Sequence, residues 1–264
     1  MLVGRILDSQ GVPRLVRKLS DQEVQPLSGN LFGSFWDDGV PIALSTVRLL
    51  APVMPSKIIG IGSNYKKHIE EMGRSTPKHP KVFLKPNTTV IGNGDAIQIP
   101  PKTTRVDHEV ELGVVIARSV YQISEAESWN AVLGLTIVND VTARDFQKED
   151  GIFTRGKGFN TFCPLGPWIQ LGTQQELDGS RQIRCWVNNE LKQDSITSDM
   201  LFQIPKLVSF VSQIMTLLPG DVIATGTPSG VSSLKDGDEV RLEIEGIGVL
   251  RNPVVNRGDR CRVL

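Results

Sequence analysis

The residues best suited to chemistry lie in Asp107-His108-Glu109-Val110-Glu111-Leu112-Gly113-Val114-Val115-Ile116, where carboxylates alternate with apolar residues. A strand sends residues i and i+2 to one face, so Glu109 and Glu111 point the same way. Like charges that close repel, and burial deepens the penalty unless a cation or a proton compensates. Asp140 ends a second apolar run, Thr136-Ile137-Val138-Asn139-Asp140. Three acidic oxygen donors closing apolar strands suit a hard divalent ion, Mg²⁺ or Mn²⁺. The alternative for Glu109 and Glu111 is the wet face of an edge strand, with Val110, Leu112 and Val114 turned to the core.

Other groups could work beside such an ion. His68 and Glu71 in Asn64-Tyr65-Lys66-Lys67-His68-Ile69-Glu70-Glu71 stand at i and i+3 and share a face if that piece is helical. A carboxylate that orients an imidazole and raises its basicity makes a general base; the competing reading is a surface pair. Of the other two histidines, His79 falls in a loop, and His108 alternates away from Glu109, as a packing residue would. In Asp140-Val141-Thr142-Ala143-Arg144-Asp145-Phe146-Gln147, helical spacing puts residues 140, 144 and 147 together. Arg144 suits a substrate carboxylate, or equally an Asp–Arg pair within the helix. Arg155-Gly156-Lys157-Gly158 lacks the pattern of a phosphate loop. Lys157 fits better as an anion contact or a cation facing an enolate. Thr225-Gly226-Thr227-Pro228-Ser229-Gly230 is a glycine-rich strand end whose amides and hydroxyls suit a carboxylate or oxyanion, or serve only as a tight turn.

The elements that must position these groups are many short strands and few helices. Residues 1–53 read as a small β domain, with strands at Leu2–Ile6 and Pro13–Val16 around a Ser9-Gln10-Gly11 turn. Residues 54–264 read as the catalytic domain. There Asn64 is placed to cap a helix containing His68, and Ser124 with Glu127 forms a capping box. Asn188-Asn189 turns a hairpin, and residues 199–217 form the clearest helix, capped by Asp199 with Pro205 in its first turns. No strand–helix–strand rhythm appears, which predicts a mixed or antiparallel α+β fold.

Composition narrows the function classes. With 29 basic and 29 acidic residues and no long basic tract, nucleic-acid binding is disfavoured. Cys163, Cys185 and Cys261 form no Cys-x-x-Cys pair, so neither a disulfide scaffold nor a zinc–thiolate site is expected. No run of about 18 apolar residues suggests a membrane helix, and no secretory leader is read at the start. A cytoplasmic protein that does not bind membranes is expected.

Taken together, residues 54–258 resemble the fumarylacetoacetate hydrolase family. The motifs are Gly62-Ser63-Asn64-Tyr65 with His68, Phe83-Leu84-Lys85-Pro86, Glu109-Val110-Glu111, Asn139-Asp140-Val141-Thr142-Ala143-Arg144-Asp145, Lys157-Gly158-Phe159 and Gly220-Asp221-Val222-Ile223-Ala224-Thr225-Gly226-Thr227-Pro228. The resemblance implies a mixed β-roll with flanking helices, a homodimer, and Mg²⁺ or Mn²⁺ held by Glu109, Glu111 and Asp140. It implies His68 as base with Glu71 as its acidic partner, Lys157 as an active-site lysine, and Arg144, Gln147, Lys85 and Thr227 as substrate contacts. Asn160 departs from a common aspartate and Ser232 from a usual glycine. The activity it implies is metal-dependent cleavage of a C–C bond in an acylpyruvate-like 2,4-dioxo acid, giving pyruvate and a carboxylic acid. Oxaloacetate decarboxylation or keto–enol tautomerisation, and 2-hydroxyhepta-2,4-diene-1,7-dioate isomerisation, are the alternatives. Residues 68–80, charged and containing Gly73, Pro77 and Pro80, are expected to act as a lid.

Overall fold

The computed structural model describes residues 1–73 and 75–256, so Cys261 and the end of the expected catalytic domain lie outside the described residues. The strand Val110–Ile116 is buried along its whole length, including the carboxylate of Glu111 among its otherwise apolar residues and Gly113. It is not an edge strand: it pairs antiparallel with Val132–Asn139 on one side and Val222–Ala224 on the other. Its faces divide by parity. Val110, Leu112, Val114 and Ile116 join the larger core cluster, whereas Val115 joins a second cluster with Ile58, Cys163 and Leu165. Glu109, Glu111 and Gly113 share the parity of Val115. A Cβ at Gly113 would lie 2.8 Å from both Thr136 and Val138, so the two strands need glycine there to keep their spacing.

Among the described residues, twelve strands join in one sheet. Outward from Val110–Ile116, one arm runs through Val222–Ala224 and Ile58–Gly62 to Lys81–Lys85. The other runs through Val132–Asn139 and Trp168–Leu171 to Leu2–Leu7, Pro13–Lys18, Glu23–Gly29 and Phe35–Asp37. The N-terminal strands thus continue the same sheet, through the pairing of Leu2–Gly4 with Trp168–Gln170. A second, five-stranded sheet contains Gln182–Val187, Glu190–Ile196, Glu239–Ile244, Gly248–Asn256 and Ile97–Ile99. Its Ile183, Leu242 and Leu250 pack in the cluster with Val110, Leu112 and Val114, so the principal core lies between the two sheets. Mixed sheets with few helices confirm the α+β expectation, as do the capping box at Ser124 and the positive φ of Asn188 and Asn189.

Two helix starts differ from expectation. The long helix spans Ile204–Ile214, not residues 199–217. Pro205 sits in its first turn, where the missing N–H costs no helical bond, while Thr197–Asp199 is a separate 3-10 turn. Its Ile204, Leu207, Val208 and Val211 form the buried stripe. The helix Lys66–Glu71 is capped at Tyr65 without a side-chain bond. Asn64 is drawn elsewhere: its amide donates to Thr225 O at 2.7 Å and Phe202 O at 3.0 Å, and it accepts from Phe202 N at 2.8 Å. That buried side chain ties the entry to the helix to the end of strand Val222–Ala224.

The strand Val222–Ala224 is anchored by Asp221, which is fully buried. Its carboxylate accepts from Ser56 Oγ at 2.6 Å and Leu218 N at 2.8 Å and pairs with the Lys57 ammonium. Removing it strands the lysine and three polar groups. Asp221→Ala should lower unfolding free energy by roughly 3 kcal/mol in urea titration, the cost of breaking a buried ion pair. A loss within the ±0.5 kcal/mol typical of surface changes would contradict this anchoring role.

Candidate active site

Glu109, Glu111 and Asp140 meet where two adjacent antiparallel strands end, because Val110 pairs with Asn139. One carboxylate oxygen from each lies within 4.8 Å of the others, and all three residues are buried. Asn139 Oδ1 accepts from Glu109 N at 3.0 Å and fixes the approach of the two chains. His68, Arg144, Gln147, Lys157 and Thr227 line the same pocket, which leaves about 30 Å³ free at the carboxylates. That is room for one ion or one water.

Cations already compensate part of this acidity. Arg144 pairs with Glu109 through Oε1, and Lys157 lies 2.9 Å from Glu109 Oε2 while also contacting Asp140 Oδ2. Lys85 takes the other oxygen of Asp140 at 2.5 Å and donates to Val141 O. Lys85, which the resemblance implies as a substrate contact, is fully buried, with its ammonium bonded to a carboxylate and a carbonyl, an arrangement that supports Asp140. Glu111 has no cation in contact among the described residues; its Oε2 accepts Gly226 N at 2.8 Å. The consequences for protonation diverge. Burial disfavours ionised Glu109, but Lys157 and Arg144 outweigh it and hold that carboxyl well below the usual range. Burial, then the charges of Asp140 and Glu109, pushes Glu111 far upward. Burial opposes the charge of Lys157, but Asp140 and Glu109 reverse that and raise its proton affinity.

The donor set fits a hard divalent ion: all ligand atoms are carboxylate oxygens, and Glu111 lacks a compensating charge. The Tyr65 hydroxyl has no hydrogen-bond partner among the described residues, and burial first, then the charge of Glu111, opposes its ionisation.

His68 is buried, and its Nδ1 is 3.0 Å from Glu71 Oε2. A carboxylate there places the ring proton on Nδ1 and leaves Nε2 as the basic atom. Glu71 also accepts Gly230 N at 3.1 Å, so the dyad is attached to the loop that carries Thr227. His108 is different: Gln193 and Ser232 occupy its two ring nitrogens, and burial lowers its pKa to about 4. It is the expected packing histidine, and Ser232, the departure from glycine, is its partner. Arg144 and Gln147 do meet, at 3.2 Å, but Arg144 turns to Asp107 and Glu109 rather than to Asp140 in the helix pattern. Thr227 lines the pocket while its hydroxyl donates to Val110 O and accepts from Gln193, which commits that oxygen to the frame. Lys157 ends a short helix, Thr154–Lys157, and its ammonium sits 4.9 Å from the centre of the Phe83 ring. Phe83 stacks on Phe153 at 4.7 Å.

Sequence reading missed Asp107, although the alternation Asp107-x-Glu109-x-Glu111 signalled it. Fully buried, Asp107 joins Arg105 at 2.8 Å to Arg144 at 2.8 Å. The Gly226 amide bears out the reading of its glycine-rich loop as a carboxylate binder, though the carboxylate is Glu111 of the chain itself, and the stacking of Phe83 on Phe153 had no signal in the sequence.

Two measurements test this arrangement. Because Glu111 in the metal-free protein keeps its proton far above the normal carboxylate range, Mg²⁺ binding should release a proton and weaken as pH falls. Calorimetry in buffers of different ionisation enthalpy reads both, and heats independent of buffer would contradict it. Lys157 lies between Glu109 and Asp140, where it competes with an added ion. Lys157→Met should therefore tighten Mg²⁺ binding by about tenfold or more, the worth of a charged hydrogen bond. Weaker binding in that variant would show that the lysine instead organises the ligands.

The chain matches the family model described as fumarylacetoacetate (FAA) hydrolase C-terminal over residues 57–255. It overlays the structure of 5-carboxymethyl-2-hydroxymuconate delta-isomerase from Mycobacterium smegmatis with a TM-score of 0.89 and 43% identity, covering 97% of this chain and 100% of that one. Fumarylacetoacetate hydrolase from psychrophilic Exiguobacterium antarcticum gives 0.86 at 33% identity, over 97% of this chain and 100% of that one. In sequence, 80% of the chain is 43% identical to oxaloacetate tautomerase YisK of Bacillus subtilis, across 74% of that protein. Matched by the family model over most of its length and overlaid nearly end to end on two such structures, the chain belongs to the fumarylacetoacetate hydrolase family of enzymes.

Proposed function

We propose that this enzyme moves a proton at C3 of a 2-oxo acid, as a keto–enol tautomerase or isomerase. Its divalent ion, Mg²⁺ or Mn²⁺, would be held by Glu109, Glu111 and Asp140. The observation that carries the reading is the His68–Glu71 pair, 3.0 Å apart, with His68 in one pocket with the three carboxylates and the buried Lys157. A bound divalent ion supplies Lewis acidity, which makes the C3 protons of a 2-oxo acid more acidic. His68 Nε2 then takes one of these protons, because Glu71 holds Nδ1 and orients the ring. The electron pair left at C3 spreads onto the C2 oxygen as an enolate, whose charge faces Lys157. Return of the proton to oxygen gives the enol; its return to carbon, at C3 or further along a conjugated chain, gives the keto form or a shifted double bond. The names of the Mycobacterium and Bacillus relatives, an isomerase and a tautomerase, describe reactions of this kind and support placing it first.

Cleavage of an acylpyruvate, with His68 taking its proton from water, is the second reading. It draws support from the hydrolase of Exiguobacterium, at a lower identity of 33%. The Mg²⁺-loaded protein should accelerate enol–keto interconversion of oxaloacetate, followed by loss of enol absorbance. His68→Ala should lower that rate by about 10²–10⁴-fold, the usual worth of a positioned base, while leaving Mg²⁺ affinity unchanged. Pyruvate release from acetylpyruvate without accelerated interconversion would replace this reading with the hydrolase.

A further inference from the structure

Beside the carboxylate pocket lies a cavity of about 400 Å³ that the reaction just described does not use. Arg144, Gln147, Phe153 and Met72 face both spaces. The outer cavity adds Arg105 and Lys148, and its walls carry three cations against one carboxylate, Asp107. Arg144 is already committed, since Nε, Nη1 and Nη2 each contact a protein acceptor, in Asp107, Gln147 and Glu109. Arg105 is not. It gives Nε and Nη2 to Asp107 at 2.8 and 3.1 Å, and Nη1 has no acceptor among the described residues. Lys148 is exposed on the last turn of the helix Arg144–Asp150 and forms no ion pair among the described residues. The remaining wall is apolar, with Ile152, Phe153 and Val231, so the cavity combines an alkyl-compatible body with two available cationic donors.

We propose that Arg105 and Lys148 form an outer subsite for a second, terminal carboxylate. The preferred substrates are then 2-oxo dicarboxylic acids longer than oxaloacetate, whose far end passes Arg144 and Phe153 into this cavity. The proposal rests on the 2-oxo acid reading above and adds which residues select the substrate. A carboxylate there accepts charge-assisted bonds from Arg105 Nη1 and Lys148 Nζ, while Asp107 holds the Arg105 guanidinium in place.

The test compares 2-oxoadipate with 2-oxohexanoate, equal in carbon number but differing in the terminal carboxylate. Calorimetry on the Mg²⁺-loaded protein gives affinity, and deuterium wash-in at C3 gives turnover. The wild-type protein should favour 2-oxoadipate by about tenfold or more, the worth of a charged hydrogen bond. In Arg105→Gln/Lys148→Gln the ratio should fall toward one. Lys148→Gln alone, at an exposed residue with no side-chain partner among the described residues, should lower it without risk to folding. Equal affinity for the two acids in the wild type, or a preference that survives in the double variant, overturns the subsite. A general loss of affinity for both acids at an unchanged ratio would mean that Arg105 only supports Arg144, and overturns it as well. Absence of wash-in for every 2-oxo acid, oxaloacetate included, sinks the catalytic reading, while the affinity ratio still decides the subsite.

Discussion

Three buried carboxylates with oxygens within 4.8 Å of one another are the constraint on which the rest of this structure depends. Two unit charges 4 Å apart repel by about 4 kcal/mol at an effective dielectric of roughly 20, and three such pairs would consume most of a typical domain's stability of about 5–15 kcal/mol. The fold meets this with an alternating chain of ions, Arg105–Asp107–Arg144–Glu109–Lys157–Asp140–Lys85, in which each neighbouring pair is in contact. Glu111 stands outside the chain, and burial, then the charges of Asp140 and Glu109, raises its proton affinity. The three carboxylates are thus the one place in this network where a further positive charge would be favoured.

Such a chain holds only if its members sit on backbone that does not move. The carboxylates end strands buried on both faces, and the cations approach from separate directions. Lys85 closes the strand Lys81–Lys85, Lys157 ends a one-turn helix, and Arg144 opens the helix Arg144–Asp150. Gly60 shows how tightly the parts fit: a Cβ there would lie 2.1 Å from the Phe83 ring, which in turn lies beneath Lys157. Asn64 and Asp221 serve the same purpose for the strand Val222–Ala224, whose end presents the Gly226 amide to Glu111. These buried polar side chains fix where three separate loops converge.

How much of this was legible follows from the range of each interaction. The Glu-x-Glu alternation, Asp140 at a strand end and the His68–Glu71 spacing depend on residues a few positions apart, so they could be read along the chain. The capping box at Ser124 and the Asn188-Asn189 turn were legible for the same reason. Asn64 reads locally as a helix cap, yet its partners are Phe202 and Thr225, far away in sequence. The resemblance implies Lys85 as a substrate contact, and the 55 residues separating it from Asp140 hide from the sequence that its ammonium pairs with that buried carboxylate. A local rule assigned Asn64 to the nearest available role, and tertiary packing gave it another.

The same distinction between fixed core and surface suits a family whose relatives carry the names of an isomerase, a tautomerase and a hydrolase. The carboxylates lie on central strands, where any displacement disturbs two packed sheets. Met72, Lys148 and Ile152, by contrast, are exposed and lie on short helices or the turns beside them. Substitution there alters the outer cavity at little cost to the core. In the proposed reaction, enolate formation would fall to the buried ion chain, whereas the length and charge of the substrate would be set by surface residues that the core does not constrain. Arg105 is the exception that joins the two regions: it faces the outer cavity, and through Asp107 it reaches the arginine that holds Glu109.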